Sequence, residues 1–170
     1  MLIVRAILFT ILVPGVVTIY VPSLLLAGTA PPGAWRFLGL LLIAAGALGY
    51  LACVLEFLLR GGGTPAVFFT RPLRFLIGEE PKTVVQTALY QRSRNPMYVS
   101  VVTVVLGESL FFESLALLYY ALFLWLMFHL VVVFVEEPHL RERPDYAEYC
   151  ARVPRWLFPS WMFPNRTVRK

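Results

Sequence analysis

The sequence predicts an all-α protein of the polytopic membrane class, a bundle of about four transmembrane helices, and three observations carry that expectation. Of 170 residues, 59% are hydrophobic and 15% charged, with a mean hydropathy of +0.73, a balance foreign to ordinary soluble domains. The apolar residues are gathered into long runs at 7–26, 37–59, 97–112 and 115–135. A bilayer core of ~30 Å asks for ~20 helical residues, and the repeated ten-residue alternation of a membrane barrel is absent.

The first run is followed by "LAGTA" (26–30), small residues of the kind found at a signal cleavage site. Its length exceeds the ~7–15 apolar residues of a secretory signal, so it is read as a retained helix. Pro14 and Pro22 are expected to kink it, with neighbours in the bundle satisfying the freed carbonyls. The second run is broken only by Glu56. It carries Gly39, Gly46 and a ladder of Ala45, Gly49 and Cys53 at four-residue spacing, small residues that let another helix come close. The third run, interrupted by Glu108, is somewhat short; the fourth contains His129. A turn near Glu113 makes these two a tight hairpin. The expected organisation is an N-terminal helix pair (1–59) and a catalytic core (60–170) made of a connection, the hairpin and a tail.

The connection opens with "RGGGTP" (60–65), a flexible stop, and continues through "FFTRPLRFLIGEEP" (68–81), whose aromatics and arginines suit the headgroup level. The tail holds "RWLFPSWMFP" (155–164), read as an interfacial aromatic belt. Orientation follows from the cations. With a cytoplasmic N-terminus, the 60–94 connection and the tail are cytoplasmic too, and of the fifteen Lys and Arg residues only Arg36 falls on the other side. The positive-inside rule therefore places both termini and the polar ends of the hairpin in the cytoplasm. The net charge of +5 fits positions facing anionic lipid, and no nucleic-acid recognition motif accompanies it. Cys53 and Cys150 fall in the second helix and the tail, so no disulfide is expected. His129 and His139 are the wrong set for a zinc site.

Chemistry is concentrated where the hairpin begins and ends. "RSRNPMYVS" (92–100) sets two arginines, an asparagine and a proline at the threshold of an apolar run, where charge is expensive unless something binds it. Tyr90, Arg92, Arg94, Asn95 and Tyr98 enter the third helix; Glu136, Glu137 and His139 leave the fourth. The hairpin brings these clusters together. No Lys or Arg follows the glutamate pair within three residues, so a cationic partner from elsewhere is expected. Trp125, His129 and Glu136 stand at i, i+4 and i+11, one side of a helix of period 3.6.

Here the chain resembles a family. "RNPMYVS" is similar to the RHPxYxG or RNPxYxG signature of the isoprenylcysteine carboxyl methyltransferase and phospholipid methyltransferase group, and "EEPHL" with "DYAEYCARVPRWLFP" is similar to its EExxL and YxxYxxxVPRW continuation. The resemblance covers about residues 60–159 and implies an integral membrane enzyme using S-adenosylmethionine, held at the cytoplasmic ends of the last helices and in the tail. By position it implies Tyr90, Arg94, Asn95, Pro96 and Tyr98 from the first motif, and Glu136, Glu137, Leu140, Tyr146 and Tyr149 from the second, as cofactor-binding residues. Arg152, from the second motif, and Trp125 are assigned to the substrate; Arg94, Glu136 and His129 are the catalytic candidates. Asn95 stands where many members have histidine, Ser100 and Ala88 replace usual glycines, and a Phe-Gly step is missing before "RERP".

The residue types agree with such a cofactor, which presents a sulfonium, an ammonium, a carboxylate, a ribose and an adenine. Arg94 can pair with the carboxylate, a glutamate of the pair with the ammonium or ribose, and Tyr98 or Tyr149 with the sulfonium or adenine. In-line methyl transfer needs alignment and a water-poor site more than a base. The acceptor is expected to be a membrane lipid or lipidated molecule: a prenylated cysteine carboxylate first, with an ethanolamine headgroup or a small hydrophobic thiol as alternatives. A nicotinamide-dependent membrane reductase and a non-enzymatic scaffold are the competing classes. No GxGxxG fingerprint supports the former.

Overall fold

In a hydrocarbon layer a backbone must satisfy its own hydrogen bonds, and every regular element among the described residues is helical. The computed structural model describes residues 2–26, 32–61 and 84–156; most of the 60–94 connection and the tail beyond Trp156 lie outside them. Three helices are long and apolar enough to cross a membrane, α1 (Ile3–Leu25), α2 (Arg36–Gly61) and α4 (Leu115–Leu140), while α3 (Pro96–Phe111) is shorter. At 1.5 Å per residue α3 spans roughly 24 Å, the short third crossing the sequence predicts. A last helix, α5 (Tyr146–Arg152), belongs to the tail.

A carbonyl freed by the prolines of α1 is satisfied by a neighbour in the bundle, as expected. Residues Ile11–Tyr20 are wound as a π-helix around Pro14, and the Val21 N–H donates to Val16 O, five residues back. In that register the next carbonyl, of Val17, faces Pro22, which has no N–H. Tyr120 of α4 donates its hydroxyl to this carbonyl at 3.1 Å.

Helix α2 packs chiefly on α3, and glycines set the distance. A Cβ on Gly39 would lie 2.7 Å from Gly107 O, one on Gly46 2.7 Å from Ser100 O, and one on Gly107 2.7 Å from Gly39 O and from Ile43 N. The two backbones touch, which is how helices gain contact energy in lipid, where burial of apolar surface adds little. One expectation is corrected here. Gly39, Gly46, Tyr50 and Cys53 form the buried face, while Ala45 is exposed, because steps of seven, four and three residues follow a helix face better than a strict four-residue ladder. Ser100 belongs to the same seam: it donates to Pro96 O at 2.8 Å and abuts Gly49.

The hairpin turn also anchors α2. Glu113 takes a left-handed φ of 47°, and its Oε1 accepts from the N–H groups of Ala34 (2.5 Å) and Trp35 (3.3 Å), a carboxylate at the positive end of a helix dipole. Two apolar clusters fill the bundle, Ala6 with Tyr50, Val54 and Val101, and Val102 with Val105, Ala121 and Leu124. The outer faces of α1 and α2 present Ile3, Ile7, Leu41 and Leu48, as lipid contact requires. The chain is a multi-pass integral membrane protein.

Candidate functional site

The hairpin returns the start of α3 to the end of α4, and the polar clusters meet there. The entrance is built first by local rules. Pro96 occupies the first turn of α3, where its missing N–H costs nothing, and it holds Asn95 out of helical geometry, at φ −130° and ψ 49°. The Asn95 side chain does not cap the helix; it donates to Arg155 O at 3.2 Å. Ser93, wholly buried, donates to the same carbonyl at 3.1 Å and accepts from Asn95 N at 3.1 Å. The Arg94 N–H donates to Pro154 O at 2.9 Å. The entrance is thus tied to the tail at 154–155 by main-chain acceptors.

The exit of α4 is wound as a π-helix over Val132–Glu136, with the Glu137 N–H donating to Val132 O and Pro138 immediately after. This wide turn redirects the chain beyond it. Trp125 and His129 share a face, as expected, and Trp156 of the tail covers it: the indole rings lie 4.5 Å apart and Trp156 Nε1 donates to His129 Nδ1 at 3.3 Å. Glu136 does not join them. It accepts a hydrogen bond from the Tyr98 hydroxyl, whose ring stacks on Phe128 at 4.6 Å. The single side predicted for Trp125, His129 and Glu136 is therefore divided in two, because the π-turn abandons the 3.6 period on which the expectation rests.

Glu137 finds its cationic partners. Its side chain is 3% exposed. Arg155 grips both carboxylate oxygens, Nε to Oε1 at 2.7 Å and Nη2 to Oε2 at 2.8 Å; Arg94 Nη1 lies 3.2 Å from Oε1 and Arg141 Nη2 3.8 Å from Oε2. This contact raises the Arg155 pKa further. Arg94 Nη1 also donates to Cys150 Sγ at 2.6 Å. The Arg94 side chain is 11% exposed, and its Nε is buried without a hydrogen-bond partner among the described residues. A buried guanidinium N–H with no acceptor costs about 1–3 kcal/mol, so this donor is well matched to an incoming anion.

Behind the charges stands a wall of tyrosines. Tyr146 and Tyr149 line the buried face of α5 and, with Val153 just beyond it, pack on Leu140, and the Tyr149 hydroxyl donates to Tyr90 O at 2.7 Å. Burial pushes the hydroxyl pKa values of Tyr90, Tyr146 and Tyr149 well above the phenol range, so all three stay neutral donors. Tyr90 sits in a 3-10 turn, Ala88–Gln91, and packs on Cys53 and Phe57. Thr87, just before it, donates its hydroxyl to Glu56, the acid that interrupts the second apolar run.

Ala88 opens this turn at φ 51°, left-handed backbone that strains any residue with a Cβ. Ala88→Gly is expected to add about 0.5–1 kcal/mol of stability, relief of that strain less the extra freedom of glycine in the unfolded chain. A melting temperature in detergent raised by roughly 2 °C is the result to look for.

Of the sequence-predicted residues, the structure gathers Arg94, Asn95, Pro96, Tyr98, Glu136 and Glu137 into one place, backed by Tyr90, Leu140, Tyr146 and Tyr149. His129 and Trp125 sit deeper along α4, roughly 10 Å and 16 Å from Glu136 at 1.5 Å per residue. Arg152 does not join the cluster; it is exposed, pairs with Glu148 at 3.8 Å and donates to Gln86 Oε1 at 2.9 Å. Sequence reasoning missed Ser93, Cys150, Arg155 and Trp156. For Arg155 a signal existed: a glutamate at the edge of lipid requires a cation, and "VPRW" supplies one.

A family model, Phospholipid methyltransferase, matches residues 35–144. It takes in "RNPMYVS" and "EEPHL" and ends just before "DYAEYCARVPRW". No curated protein and no solved structure matches the chain.

Proposed function

The chain belongs to the phospholipid methyltransferase family, whose members are membrane methyltransferases acting on lipids, and from that premise we propose that it transfers a methyl group from S-adenosylmethionine to a lipidic carboxylate of the isoprenylcysteine type. The observation that carries the reading is the Nε of Arg94, buried and without a hydrogen-bond partner among the described residues, at the junction of the helix entrance and the helix exit. It is a donor suited to the cofactor's carboxylate. Glu136, on the Tyr98 side of the junction, suits the ammonium or the ribose. Glu137, saturated by three guanidinium groups, holds Arg94 in place.

When bound, the cofactor supplies an electrophilic methyl group on a sulfonium. The chain's part is to align the acceptor with that group and to keep water out. Arg94, Arg141 and Arg155 outnumber Glu136 and Glu137, and this surplus positive charge suits an anionic acceptor. Asn95 is engaged with the tail and His129 Nδ1 with Trp156, so neither is set to take a proton; a carboxylate needs none taken. The proposed core is 60–170, facing the cytoplasm by its cationic bias, with Trp125 near the acceptor's chain.

The family description supports a second acceptor, the amine of an ethanolamine headgroup. Radiolabelled S-adenosylmethionine, offered with a farnesylcysteine mimic and with phosphatidylethanolamine in nanodiscs, separates the two. The carboxylate reading expects label in the mimic that base releases as methanol. Base-stable label in the phospholipid transfers the assignment to the amine. No label in either, with no thermal shift on adding S-adenosylhomocysteine, ends the methyltransferase reading. Glu136→Gln is expected to weaken S-adenosylhomocysteine about ten- to a hundredfold, the loss of one charge-assisted hydrogen bond, at an unchanged melting temperature; titration calorimetry reads the affinity.

A further inference from the structure

We propose that Arg155 is a positioning residue that works through Glu137 to hold the Arg94 guanidinium with its Nε turned toward a ligand carboxylate, an inference that rests on the methyltransferase reading. Arg155 is fixed from two directions. Its carbonyl oxygen accepts from Ser93 Oγ (3.1 Å) and Asn95 Nδ2 (3.2 Å), and the preceding Pro154 carbonyl accepts from the Arg94 N–H (2.9 Å). Its side chain meets both oxygens of Glu137, at 2.7 and 2.8 Å. A two-point contact of this kind sets the plane of the carboxylate as well as its position. Oε1 so placed meets Arg94 Nη1 at 3.2 Å, and Cys150 Sγ takes the same nitrogen at 2.6 Å.

The result is a closed circuit. It runs from the Arg94 backbone to residues 154–155, through the Arg155 side chain to Glu137, and back to the Arg94 side chain. With Nη1 held twice, the guanidinium plane has little freedom, and Nε remains the buried donor with nothing among the described residues to bond. Arg155 itself turns Nε and Nη2 to Glu137, and the effect proposed for it on a ligand passes through Arg94. Simple neutralisation of Glu137 is the other role it can have, and it makes a different prediction: any cation at 155 suffices. Lysine keeps the charge and loses the fork.

The test compares the intact protein with Arg155→Lys, using S-adenosylhomocysteine and S-adenosylthiopropylamine, the analogue that lacks only the carboxylate. The wild type is expected to prefer S-adenosylhomocysteine. Arg155→Lys is expected to weaken S-adenosylhomocysteine about tenfold and to leave the analogue's affinity where it was, narrowing the preference by that factor. An unchanged preference in Arg155→Lys, or equal losses for both ligands, overturns the positioning role. Asn95→Asp, which removes one donor to the Arg155 carbonyl, is expected to narrow the preference in the same direction and provides a second reading should the lysine variant fail to fold. Wild-type protein that binds neither ligand overturns the methyltransferase reading instead, so the two failures are distinguishable.

Discussion

Replacing Glu137 with alanine is expected to cost about 3–5 kcal/mol, because it strands Arg94 and Arg155 without the carboxylate they share. The magnitude comes from burial. Glu137 is 3% exposed and Arg94 11%, so neither is restored to water when its partner goes. The ion cluster need not stabilise the fold relative to an apolar one; removing half of it does the damage. A paired change obeys the same logic. Glu137→Leu with Arg94→Met is expected to recover a good part of the melting temperature lost in Glu137→Ala, while binding no S-adenosylhomocysteine. Thermal unfolding in detergent, followed by tryptophan fluorescence, measures the first effect, and Trp156 beside His129 places a reporter close to the change. A Glu137→Ala protein that melts with the wild type would mean that the cluster is open to solvent.

The architecture was legible because the bilayer, more than the chain, sets the length of an apolar run, and four such runs stand apart in the sequence. The meeting of helix entrance and helix exit was legible for a related reason: a charge at the edge of lipid needs a partner, and a short turn at Glu113 leaves the two ends of one hairpin adjacent. Backbone register was not legible. Nothing in "VVFVEEP" announces a π-turn, and a reading at 3.6 residues per turn sends Glu136 to His129 when it goes to Tyr98. The same weakness misplaced Ala45, one residue from the glycine that faces α3. In the tail, Arg152 and Arg155 are three residues apart. The aromatic setting of Arg155 concealed it, since "RWLFP" reads as an interfacial belt, and a pairing between residues 18 apart in sequence leaves no periodic trace. The glycine positions taken by Ala88 and Ser100 differ in the structure. The first lies in left-handed backbone; the second lies in the α2–α3 seam, away from the charges.

Gly107→Leu is expected to separate α2 from α3 and to abolish ligand binding at a site far along the helix. Any Cβ at 107 would lie 2.7 Å from Gly39 O and from Ile43 N, and both are helix backbone, which cannot rotate aside as a side chain can. Overpacking of an ordinary core costs about 1–3 kcal/mol through small shifts; here the whole helix must move, so a loss at or above the top of that range is expected. Close approach is also the main source of adhesion between these helices in lipid, so the clash removes the contact energy along with the fit. The functional consequence follows from rigidity. Arg94, Asn95 and Tyr98 ride on the entrance of the same helix, and their partners on α4 and in the tail are met at hydrogen-bond distances. Displacing α3 by even an ångström breaks such contacts. Gly107→Ala should give a smaller form of both defects and Ala45→Leu neither, since Ala45 faces outward. Melting temperature and S-adenosylhomocysteine affinity should fall together across the series. A Gly107→Leu protein with wild-type affinity would show that α3 holds its place without the seam.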